Sequence, residues 1–456
     1  MSTTRRATVV LEGKVPKNAG LVLVPGANLR WGGSTFKDAF GGLTSLEEDL
    51  LILSSAIYCC DLAFKRGERE NITRNIALRV PVTNFQALER VHEDLERILY
   101  VLSHDNWTIE YARRSGAPES ALTWVKQQGR TLLFSGGLDS LAAAVDLIEQ
   151  FGSAQTQLAS HTTGNQLTRG AQETLLVYLN SKYQPEISRI ALRTGGLKHK
   201  NFDFPSDQER EETQRTRSLM FLTIGSLTAR RSGQSEVVMI AENGQMAIHL
   251  PLSAARIGAF STHTAHPQFV QLASEFFTKS LDYQIQITNP YLYKTKAEAV
   301  RTLIAKHPSA IADSVSCWRG SRVPGSNHCG ECVPCLVRRV ALEANGMKLA
   351  EYARDLLGEN IANLPENDEG KRNLIEFAEF AVAFKSSPQS ELQFMYPDLF
   401  SAYFDMDAAV AMYKRFAAEA LEVLSNYSGV KSLVTSKTAN LSPATAPKVK
   451  GRRGKK

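Results

Sequence analysis

Two groups of residues in this chain have the types and spacing that chemistry needs. The first is Phe134-Ser135-Gly136-Gly137-Leu138-Asp139-Ser140, which follows a short apolar run and precedes the amphipathic stretch 141–150. That context reads as strand, loop, helix. Two glycines let the backbone approach a phosphate chain without Cβ interference, and Ser135 and Ser140 offer hydroxyls. The amides that open the next helix point at the anion with the helix dipole behind them. Asp139 beside such a cradle would repel phosphates unless a cation such as Mg²⁺ lay between them. The Gly-x-x-x-x-Gly-Lys-Ser/Thr spacing of a Walker loop is absent, lysine included, which excludes a nucleotide hydrolase of that class. The plain alternative is a tight turn with no ligand.

The second group is Cys317, Cys329, Cys332 and Cys335, three of them in the knuckle Cys-Gly-Glu-Cys-Val-Pro-Cys. Four soft thiolates with no spare position suit a closed tetrahedral structural Zn²⁺ site, with an iron–sulfur cluster as the alternative. His328 adjoins a ligand and could replace Cys317, but an all-thiolate set is preferred. Gly330 lets the loop turn so that amides face the sulfurs. The remaining pair, Cys59 and Cys60, lies in an apolar run, and burial on a helix explains it.

The elements that position these groups follow from periodicity. Extended segments at 7–12, 75–82 and 107–112 with helical patterns at 46–64 and 85–102 predict a small α+β domain over residues 1–125. From Arg130 the pattern alternates, with strands expected at 131–134, 155–160, 186–192, 236–241 and 285–289. Such alternation predicts an α/β fold built on a doubly wound parallel sheet over residues 126–345. Helical spacing then recurs at 336–344, 348–357, 372–384 and 408–424, a helical region spanning 346–430. Residues 431–456 read as a disordered basic tail.

Bulk properties narrow the function classes. The chain has 456 residues, 43% hydrophobic and 22% charged, with a formal net charge of +6. Lys448, Lys450, Arg452, Arg453, Lys455 and Lys456 equal that whole excess, so the body is near neutral and a nucleic-acid partner is disfavoured. No stretch is long and apolar enough for a membrane span, no signal core follows the first residues, and few cysteines fit a disulfide scaffold. A cytoplasmic location is expected.

Ser-Gly-Gly-x-Asp-Ser after a strand resembles the signature of the ATP pyrophosphatase (PP-loop) superfamily, of adenine-nucleotide alpha-hydrolase type. Joined to Ser-Cys-Trp…Cys-Gly-x-Cys-x-x-Cys and a following x-x-Arg, it resembles the 7-cyano-7-deazaguanine synthases over roughly residues 130–342. Partial matches continue at Arg215-Thr216-Arg217-Ser218 and from Asn289-Pro290 to Lys294-Thr295-Lys296-Ala297-Glu298. The resemblance implies that Ser135, Gly136, Gly137, Leu138, Asp139, Ser140 and Arg217 bind ATP. It places Lys296 near the nucleotide and zinc on the four cysteines. A carboxylate oxygen, that of 7-carboxy-7-deazaguanine in the family, attacks the α-phosphate, pyrophosphate leaves, and ammonia then attacks the adenylate. A second ATP-dependent step dehydrates the amide to a nitrile.

Two departures bear on the acceptor. About 125 residues precede the loop and about 110 follow the knuckle, whereas the synthases begin near their loop. Glu242-Asn243-Gly244 and Phe260-Ser261-Thr262-His263-Thr264-Ala265-His266-Pro267 replace the family's substrate motif. These variants resemble synthase-like proteins of bacterial antiphage defence clusters, type IV CBASS and Qat systems among them. That resemblance implies transfer of the deazaguanine acyl group to an amine on a partner protein. The extra domains could serve acceptor binding, homodimerisation or both.

Residue roles follow, each beside a plainer one. Glu242, with Asn243, could bind the N1–H and amino group of a guanine-like ring, or simply cap a helix. Arg215, Arg217 and Arg256 could hold the substrate carboxylate or phosphates, or form structural ion pairs. His263 and His266 could handle the proton of the incoming amine, or make structural hydrogen bonds. Lys294 and Lys296 could neutralise the departing pyrophosphate, or start a helix. The competing classes are a tRNA-thiolating pyrophosphatase, which needs a basic surface, and a non-catalytic scaffold, which has no use for an intact Ser/Gly/Asp set.

Overall fold

A computed structural model describes residues 4–67, 73–117, 119, 127–162, 164–238, 243–251, 260–349 and 352–435. Among these residues ten strands form two sheets. In chain order they are β1 (Arg5–Val9), β2 (Leu21–Leu23), β3 (Leu29–Trp31), β4 (Asn75–Val82), β5 (Asn106–Arg113), β6 (Arg130–Leu133), β7 (Thr156–Thr162), β8 (Arg189–Gly196), β9 (Glu236–Val238) and β10 (Gln286–Thr288). The first sheet has order β2-β1-β4-β5, all parallel. The second runs β10-β9-β6-β7-β8-β3, parallel except for β3, which pairs antiparallel to β8 through Leu29 and Gly196.

The second sheet is the expected doubly wound one. From β6 the chain steps outward through β7 and β8, then returns to add β9 and β10 on the other side. This reversal opens a crevice at the carboxyl end of β6, the usual ligand position in such folds. Helix Leu138–Phe151 packs on one face against helix Lys296–Lys306, and helix Arg217–Arg231 lies across β6 and β7 on the other.

The N-terminal region does not stand apart. Besides lending β3, it places helix Ser45–Ala63 against helix Arg217–Arg231, and one continuous core runs from Leu50 and Ile57 to Leu219, Leu222 and Phe276. Glu47, half of the Thr44 capping box, also takes both Nε and a terminal nitrogen of Arg231 at 2.6 Å. Cys59 and Cys60 are fully buried on that helix, where burial pushes both thiols up and keeps them inert.

The C-terminal region is helical, with Glu369–Ser386 and Met406–Ser425 packed together through Phe377, Phe384, Tyr413 and Phe416. The helix expected at 348–357 does not form among the described residues there. Ala353 N instead bonds His328 O at 2.9 Å and Arg354 N bonds Cys329 O at 3.2 Å, so the backbone is spent on the knuckle. The pattern at 85–102 also divides, into Phe85–Glu89 and His92–Ser103. No helix among the described residues is long and apolar enough to cross a membrane.

Candidate active site

The loop after β6 closes on itself before any ligand enters. Gly137 caps helix Leu138–Phe151, and its N–H donates to Ser135 Oγ at 3.3 Å. Ser135 and Ser140 hydroxyls lie 3.2 Å apart, and Ser140 Oγ donates to Gly137 O at 3.0 Å. Gly136 has φ +79°, and a Cβ there would come within 3.0 Å of Gln172 N. Both facts call for glycine. Gln172, fully buried, supports the loop by donating from Nε2 to Ser135 O and His161 O, each at 3.3 Å. Leu138 is buried beneath the loop. The result is a rigid strand–loop–helix junction with hydroxyls and amides at the sheet's switch point, suited to a polyphosphate.

Asp139 and Lys296 meet beside it. Lys296 Nζ lies 2.5 Å from Asp139 Oδ2, with the two side chains only 8% and 13% exposed. Lys296 reaches across because helix Lys296–Lys306 starts at a Thr295/Glu298 capping box and packs on helix Leu138–Phe151. Asp139 Oδ1 is buried and has no hydrogen-bond partner. An unsatisfied carboxylate oxygen next to a loop of hydroxyls and amides is chemically suited to one ligand position of Mg²⁺, which prefers oxygen ligands. Lys294 is exposed, and its Nζ sits 4.9 Å from the centre of the Tyr291 ring, whose hydroxyl donates to Asp146 Oδ2 at 2.5 Å. Of the two lysines, then, Lys296 contacts the loop.

The residues that follow Asn243 are bonded to the segment carrying Lys296. Gly244 N donates to Lys294 O at 3.0 Å, and Lys296 N donates to Gln245 Oε1 at 3.0 Å. Asn243 is fully buried, yet both its amide oxygen and its amide nitrogen lack partners, as does Gln245 Nε2. Buried amides with idle donors and acceptors cost stability unless a ligand satisfies them. Glu242 and Arg256, expected on the substrate, lie outside the described residues.

The arginines divide. Arg217 is exposed at the start of helix Arg217–Arg231, where it bonds Gln214 Oε1 at 3.0 Å. Its charge, with burial the larger cause, helps hold His161 near the end of β7 down to about 3. Arg215 points into the N-terminal half, donating to Ser103 O at 3.0 Å, and burial, then Arg66, brings it down to about 10. The adjoining Thr216 N and hydroxyl are held by Asp61 at 2.9 and 3.1 Å.

His263 and His266 line a different space, a cavity of about 730 Å³ shared with His104, His249, Arg97 and Tyr403. The His263 ring lies 4.6 Å from that of His249 and 5.4 Å from that of His266. Burial pulls both His263 and His266 down to about 4, so both imidazoles are neutral at pH 7. Gln172, Gln245 and this cavity were not anticipated from sequence. Their neighbours come from distant stretches, and periodicity carries no such signal.

Cys317, Cys329, Cys332 and Cys335 bring their sulfurs within 4.8 Å of one another, the only such metal-binding set among the described residues. Two of the separations, Cys317 to Cys332 and Cys329 to Cys335, are 3.9 Å. A tetrahedral zinc site with Zn–S of ~2.3 Å has edges of ~3.8 Å, which two of the pairs already match, so the set could hold zinc. Sulfur crowding, contact with Cys317 foremost, pushes Cys332 and Cys335 up, and a dication is what would let all four ionise. Amides of Arg319 and Cys329 point at Cys317 Sγ at 3.3 and 3.4 Å. Gly330 has φ +85°, and a Cβ there would overlap Arg354 O at 2.0 Å. His328 stays out of the set and instead accepts from Ser316 N at 3.2 Å. Arg338, wholly buried, ties the next helix to Ser314 Oγ and Ile311 O at 2.8 Å.

Comparison with known proteins covers this same stretch. Residues 130–346 match the family model described as Queuosine biosynthesis protein QueC. The chain is similar to the 7-cyano-7-deazaguanine synthase of Paracoccus denitrificans, 26% identical over 224 residues, which is 47% of this chain and 88% of that protein. The synthase of Sulfolobus acidocaldarius is 25% identical over 228 residues, 47% of this chain and 45% of its own length. That of Brucella anthropi is 26% identical over 225 residues, 47% and 88%. The regions before and after this stretch lie outside the family match.

Proposed function

We propose that this chain uses ATP to adenylate the carboxylate of a 7-deazaguanine, releasing pyrophosphate, and passes the acyl group to an amine. The observation that carries the reading is the Ser135–Ser140 cradle with Asp139 and Lys296 closing its edge. The carboxylate oxygen bonds the α-phosphorus as the bond to the β-phosphate oxygen breaks. The loop amides and Ser135 and Ser140 would hold the leaving pyrophosphate, Lys296 would offset its growing charge, and Asp139 would hold Mg²⁺. Asn243 would satisfy its idle amide on the deazapurine edge. Zinc on the four cysteines would be structural. The amine then attacks the acyl carbon, AMP leaves, and the amine's extra proton goes to a base.

The names of the similar synthases support ammonia as the acceptor, the amide then being dehydrated to a nitrile in a second ATP-dependent step. A protein amine is the second reading. It is favoured by the N-terminal and C-terminal regions that pack onto the shared stretch, and by the resemblance of residues 242–244 and 260–267 to defence-cluster proteins; the acceptor would then be a partner from such an antiphage system. The test is mass spectrometry of purified chain with ATP, Mg²⁺ and 7-carboxy-7-deazaguanine, with and without ammonium and candidate partner proteins. AMP and pyrophosphate formed only when the carboxylate is present support activation. ATP turnover indifferent to the carboxylate would refute it.

A further inference from the structure

The stretch between β8 and helix Arg217–Arg231 forms no strand or helix of its own, and its last residues are held by the N-terminal region. Glu211 N donates to Leu62 O at 2.9 Å, and Glu211 Oε2 accepts from Arg66 N at 2.9 Å. Asp61 Oδ2 takes both the amide and the hydroxyl of Thr216, and Arg215 reaches Ser103 O. These partners all precede the family match, which begins at residue 130.

Tyr58 adds a bond that ends on a charged side chain. It sits one turn before Asp61 on helix Ser45–Ala63, 3% exposed, with its ring edge-on to His161 at 5.7 Å between centroids. Burial pushes its hydroxyl up to about 12, so it stays a donor, and it donates to Gln214 Oε1 at 2.8 Å. The same oxygen accepts from Arg217 Nη1 at 3.0 Å. An amide oxygen has two lone pairs, so both bonds fit at once and each fixes the direction of the other. Among the described residues no carboxylate pairs with Arg217. Strand β9, which follows helix Arg217–Arg231, is parallel to β6, so that helix begins at the carboxyl edge of the sheet, where the crevice opens. A guanidinium with donors to spare at that edge suits a phosphate oxygen.

We propose that Tyr58 is a positioning residue of the nucleotide site: through Gln214 it aims the Arg217 guanidinium at the phosphates of ATP, which makes the N-terminal region part of that site. The proposal rests on the activation reading above, in which ATP is the nucleotide bound here. A long arginine side chain gives up rotamer freedom when it closes on an anion, and the Tyr58–Gln214 contact removes much of that freedom before ATP arrives. The arrangement is the same in the ground state and the transition state, so it acts on ATP affinity rather than on the chemical step.

The test uses the full chain and two readouts: calorimetric binding of α,β-methylene-ATP with Mg²⁺, which needs no carboxylate, and ATP–pyrophosphate exchange with 7-carboxy-7-deazaguanine. Tyr58→Phe keeps the ring and its packing and leaves Gln214 bonded to Arg217. It should weaken analogue binding and raise KM for ATP about fivefold, the order expected of one neutral hydrogen bond. Its kcat and its KM for the carboxylate should stay within about twofold of wild type. Gln214→Leu, at a half-buried position off the core, should give the same split. Arg217→Met should weaken binding further, and adding Tyr58→Phe to it should change nothing more, because the hydroxyl acts only through the guanidinium. Unchanged analogue binding in Tyr58→Phe and Gln214→Leu overturns the proposal. So does an additive loss in the Tyr58→Phe, Arg217→Met double variant, which would leave Tyr58 a packing residue. A wild type that binds the analogue but shows no carboxylate-dependent exchange removes the activation reading, while the binding comparison still decides the role of Tyr58. A wild type that binds no nucleotide overturns both.

Discussion

Lys296→Met separates the two roles that the Lys296–Asp139 contact can play. The pair is short, at 2.5 Å, and nearly buried, and Asp139 already has one oxygen without a partner. Removing the cation leaves a carboxylate uncompensated, which typically costs 3–5 kcal/mol; the residual exposure of Asp139 puts the expected loss near ~3 kcal/mol. Adding Asp139→Asn removes the stranded charge and should recover most of that stability. Turnover behaves differently. A donor aimed at charge that develops only in the transition state is worth about 10²–10³ in kcat, while ground-state binding of ATP should change by no more than about threefold. The assays are urea unfolding for stability and carboxylate-dependent ATP–pyrophosphate exchange for kcat and KM. The double variant should fold like wild type and remain inactive. A Lys296→Met protein whose KM for ATP rises as much as its kcat falls would show that the lysine only binds ground-state phosphate. A single variant with an unchanged urea midpoint would refute the buried-pair argument.

Four further outcomes follow from the geometry. Metal analysis should find one zinc per chain, and Cys332→Ser should lose it together with cooperative unfolding of the knuckle and helix Val333–Glu343; full retention of zinc would contradict the four-sulfur set. His263 and His266 have folded pKa values near 4, below the ordinary 6.5, so the unfolded chain takes up protons first and stability falls as pH drops from about 6.5 towards 4. The unfolding free energy from urea titrations should drop by ~2 kcal/mol or more between pH 7 and pH 5, and His263→Gln with His266→Gln should flatten that dependence. Glu419 runs the other way, because burial lifts its carboxyl to about 7 and stability is lost as pH rises through that value; Glu419→Gln should be more stable than wild type at pH 8 and similar at pH 5. Arg215→Met should lower stability with little effect on KM for ATP, because the guanidinium is spent on Ser103 O, and a rise in that KM alone would return Arg215 to the phosphates.

What was legible in the sequence was local or periodic. Strand β4 lies where its alternation placed it, and β5 within a residue of its expected ends. Both start at an asparagine; β5 stops at Arg113 and β4 at Val82, one residue before Thr83. The Ser135–Ser140 loop and the four-sulfur set were legible because each is set by a few contiguous residues with specific backbone demands, positive φ at Gly136 and Gly330 among them. Strands β2 and β3, three residues each, carry too little pattern to stand out, and β3 gains its partner from β8, some 165 residues later in the chain. The stretch 348–357 has helical spacing, but contacts with the knuckle took its backbone hydrogen bonds, a tertiary choice that no window can see. Gln172, Asn243 and Gln245 are polar residues whose meaning appears only once they are found buried.

The short segment from Asn243 to Leu250 explains why the flanking regions cannot be treated as ornaments on a synthase-like middle. Gln245 Oε1 holds the amide of Lys296, and Gln245 O accepts from Tyr413 OH at 2.8 Å. Leu250 N returns to that same hydroxyl at 3.3 Å, while Met246, Ile248 and Leu250 pack into the C-terminal core. Thr295, which caps the helix carrying Lys296, donates to Glu419 at 2.9 Å on the same C-terminal helix as Tyr413. Independent hydrogen-bonded routes therefore lead from helix Met406–Ser425 to the residue that closes on Asp139. A loosened C-terminal helix should displace Lys296 before it exposes much core, because the positioning rests on the Tyr413 hydroxyl, the Glu419 carboxyl and the Arg415 guanidinium, which holds Glu298 and Tyr293 O. Tyr413→Phe, which keeps the ring and its packing, isolates this link: kcat should fall with little loss of stability, and an unchanged kcat would mean that the C-terminal region serves only the cavity wall.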